Sequence, residues 1–86
     1  MDFEWDEAKR QANFLKHGVD FAIVANFEWD TAQIREDTRH DYGERRWRAL
    51  GLIEMRVLAV AFTHRGTKIR IISVRYANRK EVKSYA

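Results

Sequence analysis

No cysteine occurs among the 86 residues of this sequence, which excludes disulfides and thiolate-held metal sites. Proline is absent too, so turns must rest on asparagine, aspartate and the four glycines. Long apolar runs are also missing. The longest, Val57-Leu58-Ala59-Val60-Ala61-Phe62, covers six residues, far short of the roughly 20 that span a bilayer as a helix. The opening Met1-Asp2-Phe3-Glu4-Trp5-Asp6 is acidic where a targeting segment would be basic. These absences predict a soluble, cytoplasmic chain with no membrane partner. Its length allows one domain, residues 1–86, around a single core. Histidine is sparse and scattered (His17, His40, His64), with no zinc-ligand spacing and no carboxylate cluster suited to magnesium. Neither a metal nor a cofactor is expected.

What the chain does have is charge, unevenly placed. Residues 1–64 carry nine Lys/Arg against twelve Asp/Glu, whereas residues 65–86 carry seven Lys/Arg against Glu81 alone. A basic segment this concentrated points to a polyanion, and an acidic protein would fit the charge equally well.

The apolar pattern divides the chain into a helical part and a strand part. Asp6 is placed to cap a helix that runs to about Lys16, with Ala8, Ala12 and Leu15 as its inward stripe and Phe14 beside them. Gly18 suits the left-handed position that ends it. Asp20 can cap a second helix, 21–27, with Phe21, Val24 and Ala25 facing inward. Gln33–Asp37 reads as a polar edge strand, and Phe3-Glu4-Trp5 as a short strand with little weight. After Gly43 the period becomes two. Arg56–Thr63 and Lys68–Tyr76 form the clearest hairpin, its turn including Arg65-Gly66. In a regular second strand, Ile69, Ile71, Ser73 and Arg75 share one face, and Arg70, Ile72, Val74 and Tyr76 the other. Residues 79–85 suggest a short basic helix or tail. The expected class is α+β: two N-terminal helices packed on one face of an antiparallel sheet of three or four strands.

Several local patterns coincide. They are Phe3-x-Trp5-Asp6-x2-Lys9-x3-Asn13-x2-Lys16-His17-Gly18-Val19-x-Phe21, Gly43-Glu44-Arg45, Gly51, and Arg70-Ile71-Ile72-Ser73-x-Arg75-x-Ala77 with Arg79-Lys80-Glu81 and Tyr85 after it. Together they resemble the BrnT family, toxins of type II bacterial toxin–antitoxin systems, along essentially the whole chain. The sequence departs from the common pattern at Val74 and in the Phe14-Leu15 pair, both apolar substitutions. The resemblance implies a RelE-like toxin fold and an RNA-cleaving activity. It also implies a cognate antitoxin whose DNA-binding domain lets the complex repress its own operon. Operator DNA would be met only through that partner.

RNA carries its own nucleophile, the 2′-hydroxyl. Cleavage without a metal needs a base near that oxygen, positive charge on the phosphate and an acid for the leaving 5′-oxygen. Arg70 and Arg75 are the leading phosphate ligands, although a regular strand sets them on opposite faces and only a bulge or the strand's end would bring both to one site. His17 titrates near neutrality and is the best proton carrier, yet its Lys-His-Gly setting also suits a helix end. Glu44 and Glu81 are alternative bases, or else position arginines. Lys16, Arg79 and Lys80 can hold the RNA backbone, and Tyr85 can stack on a base, donate a hydrogen bond to phosphate or simply pack. Trp5 and Trp29 read as core or interface residues. Two rival functions remain at this point: a non-catalytic module that binds RNA or an acidic protein, and, less well supported, a DNA-binding repressor, for which no basic recognition helix is evident.

Overall fold

In the computed structural model, which describes residues 1–85, the chain begins with strand β1 (Asp2–Trp5) and helix α1 (Glu7–His17). Two 3-10 turns, Phe21–Asn26 and Trp29–Thr31, lead into β2 (Gln33–Asp37). Strands β3 (Arg46–Ile53), β4 (Arg56–Arg65) and β5 (Lys68–Tyr76) follow, and helix α2 (Arg79–Tyr85) ends the described chain. One mixed sheet of five strands results, in the order β1-β5-β4-β3-β2. The expected β4–β5 hairpin is present, with Arg65 paired to Lys68 across its turn. The sheet exceeds the expected strand count because short segments join both edges. The polar edge strand β2 pairs antiparallel to β3, and β1 lies parallel to β5. The second helix is a 3-10 turn instead, capped by Asp20, whose carboxylate accepts from the Ala22 N–H at 2.9 Å. No described helix is long and apolar enough to cross a membrane.

The ends of α1 follow the sequence and its buried face does not. Asp6 accepts from the N–H groups of Ala8 (2.9 Å) and Lys9 (3.2 Å), and Gly18 closes the helix at φ 71°. Yet Ala8 and Ala12 are exposed, Phe14 is 53% exposed and Leu15 86%. The inward positions are Arg10, Asn13 and His17, and only Asn13 is fully buried. The cause is a sheet edge. β1 stops opposite Ile71, so β5 offers unpaired main-chain groups beyond that point. Asn13 takes them: its amide donates to the carbonyls of Val74 (2.8 Å) and Val19 (3.0 Å), and its carbonyl oxygen accepts from Val74 N–H at 3.2 Å. Arg10 adds a forked pair to Asp20 at 2.8 and 2.9 Å, which holds the Asp20 carboxyl down at about 2.

A second departure lies in β5. Ala61 pairs with Ser73 and Phe62 with Ile71, so Ile72 is an extra residue, a β-bulge. The bulge lets Ile71 and Val74, three positions apart, both point into the core, where they are 1% and 0% exposed. It also exchanges the two expected faces past Ile72, leaving those before it as expected. Ile69, Ile71, Val74 and Tyr76 share the core face, and Arg70, Ser73 and Arg75 share the other. The first 3-10 turn covers the core face, and α1 lies along the β5 edge through Asn13. α2 crosses the other face, held by Gln33 donating to the Ser84 carbonyl at 3.2 Å.

The core gathers Val19, Phe21, Val24 and Phe27 against Ala49, Leu58, Val60, Phe62, Ile71 and Val74. Trp5 and Trp29 pack at its margin, as their sequence setting suggested: Trp29 lies 4.7 Å from Phe27 and 5.4 Å from Phe62 between ring centres. Of the four glycines, Gly51 is the one packed against a neighbour. A methyl group there would come within 2.9 Å of the Phe27 ring carbons Cε1 and Cε2. Phe27 is itself wedged by Trp29, so the ring has little freedom to retreat. Gly51→Ala should therefore destabilise the protein by about 1–3 kcal/mol, the usual cost of overpacking. Urea unfolding measures this, and an unchanged midpoint would show the ring to be mobile.

Candidate nucleic-acid interface

Because residue identity alternates along each strand, the face beneath α2 is set by register. One row across the sheet reads Arg35, Arg48, Ala61, Ser73, and the next reads Gln33, Leu50, Ala59, Arg75. Small side chains in the middle and α2 along one side leave a groove of about 510 Å³. Arg35, Arg39, Arg48, Arg75 and Lys80 line it, opposed by one carboxylate, Glu81. A cleft of one sign between low-dielectric walls concentrates the field toward an anion.

Each cation is positioned differently. Asn78 and Glu81 start α2 with a reciprocal cap: Glu81 N–H donates to Asn78 Oδ1 at 2.8 Å and Asn78 N–H to Glu81 Oε1 at 2.9 Å. The same Glu81 receives both Arg75 forks, at 2.7 and 3.0 Å, and this holds its carboxyl below the usual range. Arg39 is held by the buried Asp37 through forks of 2.9 Å each, and Tyr42 donates to the same carboxylate at 3.0 Å. Together these contacts push the Asp37 carboxyl far down, Arg39 contributing most. Among the described residues, Arg48 and Arg35 have no such partner.

Of the residues singled out in sequence, Arg75 and Lys80 line the groove, with Glu81. Arg70 shares the face through the bulge but sits at the β1 side, paired with Glu4 at 2.6 Å. Glu44 lies in the loop before β3, bonded to Arg46 at 3.0 Å and near Arg65 at 3.6 Å, and these charges lower its pKa. His17 is half-buried at the end of α1, outside the lining. Burial lowers its pKa first, and the charges of Lys16 and Arg75 lower it further. Lys16 and Arg79 are exposed outside the groove. The Tyr85 hydroxyl lies 3.4 Å from both oxygens of Thr31 and secures α2 against the loop before β2.

Sequence reasoning missed Arg35, Arg39 and Arg48, which come from the acidic part of the chain. Only Arg48 carried a signal, its spacing from Arg46 on a strand whose other face is apolar. Among the described residues, no three His, Asp or Glu side chains converge in a way that could hold a metal ion.

A mixed sheet with N-terminal helical elements packed on it is an α+β architecture consistent with a RelE-like toxin fold. Residues 5–81 match the family of the ribonuclease toxin, BrnT, of type II toxin-antitoxin systems, and the chain belongs to that family. No individual curated protein matches it.

Proposed function

We propose that residues 1–86 form a single toxin domain that cleaves RNA without a metal, by attack of the 2′-hydroxyl on the adjacent phosphate in the groove beneath α2. The observation that carries this reading is the β5 bulge, which sets Arg70 on the same face as Arg75, toward β1 and outside the lining of the groove that Arg75 shares with Arg35, Arg39, Arg48 and Lys80. Arg75 stabilises charge developing on the phosphate, with Lys80 and, toward β1, Arg70 tracking the backbone. In this scheme the 2′-hydroxyl proton goes to His17, the titratable ring at the end of α1, which stands outside the groove lining. Glu81 and Glu44 orient arginines, since both carboxylates are held ionised by ion pairs. Lys16, Arg79 and Tyr85 extend the path of the strand outside the groove.

Family membership implies an antitoxin. We further propose that an acidic or amphipathic antitoxin segment covers the arginine-bearing face, burying at least the roughly 1,000 Å² of a biological interface. Its DNA-binding domain would carry the complex to the operator, all within the cytoplasm.

One observation favours the rival, a non-catalytic RNA-binding module: among the described residues, the only carboxylate lining the groove is already bonded to Arg75. Product chemistry separates the two. Purified protein with RNA should yield a 2′,3′-cyclic phosphate and a free 5′-hydroxyl, with or without EDTA. An RNA methylated at the 2′-oxygen of the cleavage position should bind nearly as well and stay intact. Folded protein that binds RNA and leaves it uncut, ribosomes included, would establish the module. Inhibition by EDTA with 5′-phosphate products would overturn the mechanism but not the enzyme.

A further inference from the structure

We infer that Arg35 and Arg48 together form a seat for one phosphate of a single-stranded RNA backbone, an inference that rests on the RNA-cleaving reading above. The two residues are register partners on β2 and β3. Like charges directly opposite one another destabilise a strand pair unless something lies between them. The carboxylates nearby are engaged elsewhere: Asp37 with Arg39, Glu36 with Arg45, Glu44 with Arg46 and Glu81 with Arg75. Arg35 and Arg48 join none of the ion pairs among the described residues. Arg48 Nε is moreover buried without a hydrogen-bond partner among those residues. Leaving a charged donor buried and unpaired is costly.

The rest of the row explains what the arrangement accommodates. Ala61 and Ser73 continue it across β4 and β5, and their short side chains leave the space beside the two guanidiniums open. An oxyanion with several acceptor oxygens supplies both missing elements. It accepts from Arg48 Nε, and it places negative charge between the opposed forks. Arg75 is two positions from Ser73 on the same face, and it lines the same groove with Lys80. A strand seated at Arg35–Arg48 therefore continues onto cations already in its path. Glu81 feels the Arg48 charge but is held by both Arg75 forks, which leaves the seat to an incoming anion.

The test uses the full chain and two probes, inorganic phosphate and an oligoribonucleotide made uncleavable by 2′-O-methylation. Phosphate should shift the Nε–H resonances of Arg35 and Arg48 together and saturably. Arg56, whose guanidinium lies 3.8 Å over the Tyr76 ring away from the groove, should not respond. Arg48→Gln and Arg35→Gln should each weaken oligonucleotide binding about tenfold and reduce the salt slope by about 0.7, the share of one single-strand phosphate. Arg56→Gln should do neither. Without anion, Arg48→Gln should melt at the same temperature or higher, because a repulsion is removed. A midpoint lowered by more than about 5 °C would assign Arg48 to the scaffold and overturn the seat. So would an unchanged salt slope, or phosphate shifts shared by Arg56, with the RNA reading left intact. If the wild-type chain ignores the oligonucleotide while phosphate still titrates the pair, the RNA reading fails instead and the seat belongs to another phosphate ester.

Discussion

Asn13→Leu should cost about 3–5 kcal/mol of folding stability, a large share of the 5–15 kcal/mol typical of a domain. The substitution preserves size and removes three hydrogen bonds at once, to Val19 and to both main-chain groups of Val74. Each main-chain group then stays buried without a partner, at about 1–3 kcal/mol apiece before relaxation. No neighbouring strand can replace the amide, since β1 ends at the register of Ile71. Urea titration of the purified chain measures the loss. Leu15→Ala provides the contrast: this side chain is 86% exposed and should change stability by no more than about 0.5 kcal/mol. If Leu15→Ala proves the more damaging of the two, α1 presents its apolar stripe inward and the packing described above is wrong.

That contrast also locates where the sequence was legible. Caps and glycine positions read correctly because they depend on local chemistry: Asp6 at the start of α1, Gly18 at its end, Asp20 before the 3-10 turn. The β4–β5 hairpin read correctly because two-residue alternation and a turn glycine agree over a long stretch. The buried face of α1 was misread because periodicity sorts residues by apolarity. Here the helix covers polar edge groups of β5, which require an amide. The bulge at Ile72 is a tertiary decision of the same kind. Ile71 and Val74 cannot both reach the core from a regular strand, and burial of both outweighs an uninterrupted ladder. Nor did local sequence announce the β3–β4 turn, where Glu54 and Met55 take φ of 47° and 71°, a conformation usually given to Asn-Gly. Half the groove escaped notice for a simpler reason. Net charge was read along the chain, whereas Arg35 and Arg48 become neighbours of Arg75 only once the register across β2 to β5 is known.

Arg75→Ala is expected to lower the RNA cleavage rate by about 10²–10³-fold, the effect of removing one preorganised donor from a developing oxyanion. Arg75 also anchors Glu81, so the loss must be separated from disturbance of α2. Glu81→Gln makes that separation. It breaks the ion pair while leaving the guanidinium in the groove, and cleavage should persist or rise even if the cap of α2 weakens. Should Glu81→Gln abolish cleavage as fully as Arg75→Ala does, the pair is structural, or Glu81 is itself the base. His17 supplies the second axis. Burial together with Lys16 and Arg75 puts its pKa below the ordinary 6.5. A base must be unprotonated to act, so cleavage should stay level above that value and fall about tenfold per pH unit below the depressed pKa. The acidic limb of kcat/KM therefore belongs below pH 6.5. His17→Ala should remove that limb and cost about 10²–10⁴-fold if the ring carries the proton. If the ring only ends α1, the same substitution leaves the pH profile in place and changes the rate very little.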